Sequence, residues 1–405
     1  MTQTLVTQPR ILLFTGKGGV GKSTIASGTA ALAAASGRRT LVLSTDPAHS
    51  LSDAYGVPVG AEPTLVSDNL FVQQVDAQLR FEQSWAEIQS YLLTVLDIVG
   101  VDPVAAEELT VIPGAEEVFA LLELREHARS GEYDVIVVDC APTAETLRLL
   151  ALPEALGWYM QRLFGFQRKM VKALKPVLTK AAGVPMPGDS VFDAIERLHG
   201  ELDEVREMLQ GSNASVRLVL TPERVVLAEA RRSFTTLSLF GYRVDGVVAN
   251  RVFPDADGDS WRAGWVAAQA SVLVDVGHSF AGLPIWRSTY RDQEPVGPEA
   301  VRAMAAEVYA GHDPLAAPTG PGPLQVTRRG RSALLRLTLP FVTRGEVNLV
   351  RHGDDLVVTV ASYRRLLSLP ASLSRHRVVG ARVDAGELQV RFEERTDDRT
   401  QEKSS

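Results

Sequence analysis

The eight residues Gly16-Lys17-Gly18-Gly19-Val20-Gly21-Lys22-Ser23 constrain this 405-residue chain more than any other segment. They follow an apolar run at 11–15 and precede an Ala-rich stretch at 23–36 that stops at Gly37. A glycine-rich loop between a buried strand and a helix is the context that the G-x-x-x-x-G-K-[ST] phosphate loop requires. Glycines let consecutive backbone N–H groups wrap phosphates, and the helix N-terminus adds a partial positive charge. Lys22 then reaches the β- and γ-phosphates, and Ser23 offers its hydroxyl to Mg²⁺.

The rest of the chain extends that unit. A second strand is predicted at 40–45 and further strands at 133–139, 216–220 and 244–250, with helices at 225–239 and 261–276. Strand and helix in alternation imply an α/β fold with a doubly wound, mostly parallel sheet. The stretches 81–129 and 153–210 carry helical periodicity without a strand, so a helical subdomain inserted into the sheet layer is expected. Pro and Gly crowd 316–323, which neither regular element sustains. Beyond them short alternating runs at 334–342, 346–351, 356–362, 378–383 and 387–392, with turn signals between, predict a small antiparallel β-sandwich. The expected division is an NTPase domain at 1–315 with helical insertions at about 81–130 and 153–210, a linker at 316–324, a sandwich at 325–395 and a polar tail at 396–405.

Composition narrows the setting. The lone Cys140 forms no internal disulfide and no thiolate metal cage by itself, so a reducing cytoplasm is expected and Cys140 reads as a small packed residue. No apolar run reaches the ~18 residues of a membrane span. The net charge of -7 divides unevenly: residues 325–395 hold thirteen Arg against seven Asp and Glu, and with -1 on the tail after them residues 1–324 carry -12. Those arginines are not interleaved with aromatics, so no nucleic-acid partner is expected.

Lys17 separates this loop from an ordinary one, since a second cation at its entrance can reach the phosphates of a neighbouring subunit. Lys-Gly-Gly-Val-Gly-Lys-Ser resembles the signature-lysine P-loop ATPases. Ser44-Thr45-Asp46-Pro47-Ala48-His49-Ser50-Leu51-Ser52-Asp53 resembles the first switch of the arsenite-pump and tail-anchored-protein-targeting ATPase family within them. The resemblance implies ATP and Mg²⁺ as cofactors, held by Gly16 through Ser23 and Thr24. It gives Asp46 the orienting of the attacking water. Asp139 ends an apolar run where ligands bind in open α/β sheets, and is expected to hold Mg²⁺ with Ser23. Cys140-Ala141-Pro142-Thr143-Ala144-Glu145-Thr146-Leu147-Arg148 is similar to the second switch, with Ala144 and Glu145 departing from its pattern. Val247-Val248-Ala249-Asn250-Arg251 resembles the adenine-side segment, so Asn250 is expected at the base.

The working surface is expected on the insertion. Apolar residues recur at helical spacing over 156–174, among them Met160, Leu163, Phe166 and Met170, with basic residues between. Such a stripe suits diverse hydrophobic protein segments, and its basic face suits transient contact with a membrane surface. Packing of the insertion itself fits the same pattern. The C-terminal hairpins resemble the α-crystallin (small-heat-shock) sandwich. The expected function is a homodimeric Mg-ATP-dependent switch ATPase, a chaperone or targeting factor. The alternatives are the soluble ATPase of an anion or arsenite efflux system, against which the missing cysteines count, and a partition-type regulator.

Overall fold

The computed structural model describes residues 8–46, 50–75, 115–141, 143, 146–147, 150–151, 189–255, 259–373 and 376–394. The expectations placed on Met160, Leu163, Phe166 and Met170, and on Ala144 and Glu145, fall outside these residues.

An eight-stranded sheet organises the first part. In chain order its strands are β1 (Arg10–Thr15), β2 (Thr40–Ser44), β3 (Thr64–Ser67), β4 (Leu70–Gln74), β5 (Val135–Asp139), β6 (Ala214–Leu220), β7 (Val244–Val252) and β8 (Ile285–Thr289). They lie side by side as β3-β4-β2-β5-β1-β6-β7-β8. Every pairing is parallel except β3 with β4. The apolar runs explain the centre: Val135, Ile136, Val137 and Val138 are all buried, as a strand covered on both faces requires. Each such side chain contributes roughly 1.5–3 kcal/mol through removal from water.

Helices α1 (Lys22–Ala35), α2 (Ser50–Tyr55), α3 (Ala115–Ser130), α4 (Asp189–Gln210), α5 (Arg224–Leu239), α6 (Ser260–Ser279) and α7 (Pro298–Tyr309) flank the sheet. Ala-rich α1 meets α7 closely enough that a Cβ on Gly28 would stand 2.5 Å from the Val301 carbonyl oxygen. Of the stretches read as helical, 81–114 and 153–188 lie outside the described residues; α3 and α4 occupy the described remainders. Periodicity left β3, β4, β8, α2 and α7 unmarked, because β3, β4 and α2 are only 4, 5 and 6 residues long and β8 is a half-exposed edge strand.

The C-terminal part is a sandwich of two antiparallel sheets. One comprises β9 (Leu324–Arg329), β10 (Ser332–Thr338), β14 (His376–Asp384) and β15 (Glu387–Glu394); the other comprises β11 (Val347–His352), β12 (Asp355–Val360) and β13 (Tyr363–Ser368). The strand predicted at 334–342 stops at Thr338, since Pro340 has no N–H for the ladder and Phe341 takes a left-handed φ of 64°. The strand predicted at 356–362 ends at Val360, where Ala361 turns the chain with φ 51° into the unpredicted β13.

The Pro/Gly stretch is held against both parts. Arg10 donates to the carbonyls of Leu315 and Ala316, Arg243 to that of Gly320, and the Thr338 amide to that of Pro323. Leu239 of α5 is buried in the apolar core of the sandwich, and Arg365 of β13 donates to the Leu239 carbonyl at the C-terminus of that helix. Among the described residues no helix is long and apolar enough to cross a membrane.

Candidate functional site

The C-terminal ends of β1, β2, β5 and β7 deliver the sequence-predicted residues to one place. The loop after β1 passes under β6 so tightly that a Cβ on Gly16 would lie 2.1 Å from the Val219 carbonyl oxygen. Gly21 takes φ 89° and precedes α1 with no side-chain cap, leaving the first N–H groups of the helix for an anion. Lys22 is buried behind the loop and Ser23 is half-buried. The Ser23 hydroxyl donates to Ser50 Oγ at 3.0 Å, tying α1 to the start of α2. Lys17 stands half-buried at the loop entrance and makes no hydrogen bond or ion pair with the described residues.

Asp139 closes β5, in register with Phe14 of β1. Its carboxylate is fully buried, and neither oxygen receives a well-formed hydrogen bond from the described residues. Burial pushes its pKa up to about 7; the Ser23 hydroxyl and Lys22 ammonium pull it back, and Asp46 adds to the rise. The hydroxyls of Thr15 and Thr143 are buried and have no hydrogen-bond partner among the described residues either. A buried, orphaned carboxylate beside a hydroxyl is a donor set that suits Mg²⁺, which takes one or two protein oxygens and completes its shell with water and phosphate. Ser23 and Asp139 thus fit the ion expected of them. Among the described residues no cluster of three or more His, Cys, Asp and Glu offers an all-protein cage.

Asp46 follows β2, half-buried, its amide donating to Ser44 Oγ at 3.2 Å and its carbonyl accepting from Gln74 Nε2 at 2.8 Å. The two switch segments touch: the Thr45 amide donates to the Asp139 carbonyl at 3.0 Å and the Ala141 amide to Thr45 Oγ1 at 3.3 Å. Cys140 is buried, and desolvation drives its thiol pKa far above the usual range, as a packed residue should show.

Asn250, assigned to the adenine edge, donates one N–H of its side-chain amide to the Val20 carbonyl at 2.8 Å and so braces the loop, a contact that its expected role did not include. Arg251 does likewise to Gly19, which nothing in its neighbours signalled. Thr15 and Gln74, at the ends of β1 and β4, were also missed, because single polar residues at strand ends carry no periodic signal.

Comparison with known proteins agrees with this geometry. Residues 9–310 match the family described as anion-transporting ATPase, and residues 330–392 match the HSP20-like domain found in ArsA. A Chlorobaculum tepidum protein named as an arsenical pump-driving ATPase is 35% identical over 90% of this chain and 91% of its own length. An uncharacterized protein of Streptomyces coelicolor is 38% identical over 95% of this chain and 97% of its own. A Mycobacterium tuberculosis protein is 35% identical over 95% and 96%.

Proposed function

Because this chain belongs to the anion-transporting ATPase family and is therefore an ATP hydrolase, we propose that it works in the cytoplasm as a homodimeric, Mg-ATP-driven switch whose helical insertion receives hydrophobic protein segments. The observation that carries the switch is the meeting of both switch segments at the orphaned Asp139. Ser23 links the phosphate loop to α2, and Thr45 links β2 to β5 and Ala141. A change in what fills the phosphate site is therefore felt by both segments at once.

In this reading the loop amides and Lys22 bind the triphosphate, and the Asp46 carboxylate orients the attacking water. Ser23 and Asp139 would hold Mg²⁺, which would neutralise charge on the triphosphate. Lys17, without a partner in its own chain's described residues, stabilises the triphosphate of the second subunit. The surface of α6 supports a second copy. Trp261 and Trp265, one turn apart, are 67% and 44% exposed on a helix with few charges, and an apolar helix face is ordinarily covered. Phe253 connects this face to the loop, lying 6.3 Å from Trp265 and two residues beyond Arg251.

The client surface rests on the spacing of Met160, Leu163, Phe166 and Met170. Replacing Met160, Leu163 and Phe166 with Ser should reduce nucleotide-dependent capture of a hydrophobic peptide while ATP binding survives. Normal capture by the folded variant would refute this surface. For the dimer, Lys17→Ala should bind ATP but lose most turnover, and mixing it with Asp46→Asn subunits should restore some. Full turnover by a Lys17→Ala monomer excludes action in trans. The names of relatives support a second reading, an ATPase that drives an anion pump. Stimulation of turnover by arsenite, unchanged in the triple Ser variant, favours that reading over protein capture.

A further inference from the structure

Two consecutive side chains at the end of β7 are spent on the backbone of the phosphate loop. Asn250 Nδ2 donates to the carbonyl oxygen of Val20 at 2.8 Å, and Arg251 Nη1 to that of Gly19 at 2.9 Å. In a planar trans peptide the carbonyl and the following N–H point in opposite directions. Anchoring the oxygens of Gly19 and Val20 toward β7 therefore turns the N–H groups of Val20 and Gly21 the other way. Those are amides that a phosphate nest uses, and without an anchor each peptide is free to flip.

Local features show that the contact is built. Arg251 has φ 57°, a left-handed backbone that an L-residue adopts at a cost of about 1–2 kcal/mol. Gly21 leaves the space that Asn250 fills, since a Cβ there would stand 2.3 Å from Asn250 Nδ2. Asn250 is buried, so its amide donates where water does not compete.

We propose that Asn250 and Arg251 form a clamp that presets the peptide orientations of the phosphate loop, making both of them positioning residues for polyphosphate binding whatever the base. The inference rests on residues 16–23 being the ATP site. Pyrophosphate separates the roles, because it has phosphates and no base.

The experiment measures Mg-pyrophosphate and Mg-ATP affinity by calorimetry, and the ATP-to-GTP preference, for the full-length chain. Loss of one hydrogen bond to the loop is worth about tenfold in affinity. Arg251→Ala should weaken pyrophosphate and ATP by the same factor of about ten, with the base preference and Tm unchanged. Arg251→Lys, which keeps one donor, should recover part of the loss. Asn250→Asp, nearly the same shape but unable to donate, should weaken both ligands by at least as much. Arg251 is exposed, so its variants fold even if a change at Asn250 does not. Wild-type pyrophosphate affinity in the Arg251→Ala and Asn250→Asp variants, with ATP alone weakened, overturns the clamp and returns Asn250 to the base. Lys22→Ala is the control: if it binds pyrophosphate normally, the phosphate-loop reading fails and not merely the clamp.

Discussion

The two ends of the central sheet both bury charge, and they treat it in opposite ways. At the N-terminal end, Arg10 of β1 and Arg217 of β6 converge on Asp245 of β7, at 3.1 and 2.8 Å. Ser215 donates to the same carboxylate, Arg217 also donates to Tyr309 and to the Pro314 carbonyl, and the Arg217 guanidinium lies 4.6 Å from the Trp286 ring centre. Burial works against the charge of Arg217, but Tyr309 and Asp245 more than compensate and hold its pKa above the ordinary value. At the C-terminal end the Asp139 carboxylate and the Thr15 and Thr143 hydroxyls are as deeply buried, and among the described residues none has a well-formed hydrogen bond. A satisfied network costs little and fixes the sheet to the chain that follows it at 313–316. An unsatisfied one is tolerated only where something from outside completes it. The contrast marks which end of the sheet is structure and which is site.

The largest test of that contrast exchanges the effects of one substitution at each end. Asp139→Asn should lower Mg-dependent ATP turnover by at least about 100-fold while the protein stays folded, because it removes an ion ligand and relieves a buried charge. Steady-state hydrolysis with circular dichroism checks both halves; a large loss of structure with turnover intact would reverse the assignment. Asp245→Asn should do the opposite. It leaves the buried Arg217 and the half-buried Arg10 without their anion, at a cost of about 3–5 kcal/mol, while the fraction that remains folded hydrolyses ATP normally. Denaturant titration measures the first effect, and turnover per folded molecule the second.

A smaller effect sharpens the comparison through pH. The folded-state pKa of Asp139 is raised from 3.8 to about 7, so the native protein holds that proton more tightly than the unfolded chain. Stability of the magnesium-free protein should therefore fall as pH rises from 3.8 to about 7, and no further above it. The Asp139→Asn variant should lack this component, so between pH 5 and 8 its Tm should fall about 3–8 °C less than that of the wild type. Equal slopes for the two proteins would mean that Asp139 is not the group that titrates. The smallest effect is expected beside the site, at Cys140. Cys140→Ala should cost about 1 kcal/mol and leave turnover and its resistance to thiol reagents unchanged, since the thiol only packs. Loss of activity would give the sulfur a role that its burial argues against.

What could be read from the sequence was whatever depends on residues close together in the chain. The glycines and Lys22 of the phosphate loop, the four-residue apolar run before Asp139 and the alternation in β15 each declare themselves within about ten positions. They were enough for the fold class, the nucleotide end of the sheet and a β-sandwich after the Pro/Gly stretch. Even so β8, α7 and β13 went unmarked, where edges, partial burial or short spans weaken periodicity.

Only the tertiary structure decided how distant parts complete one another. Val20 and Asn250 are 230 positions apart and Arg10 and Asp245 are 235 apart, and each pair meets only because β1, β6 and β7 lie side by side. Leu239 belongs to the first part of the chain by position and to the core of the sandwich by packing. The state of Asp139 is of the same kind. An aspartate at the end of an apolar strand is legible as a residue, but whether its charge is paired, solvated or stranded is set by everything that surrounds it. Desolvation is a property of the whole fold, whereas spacing is a property of the chain.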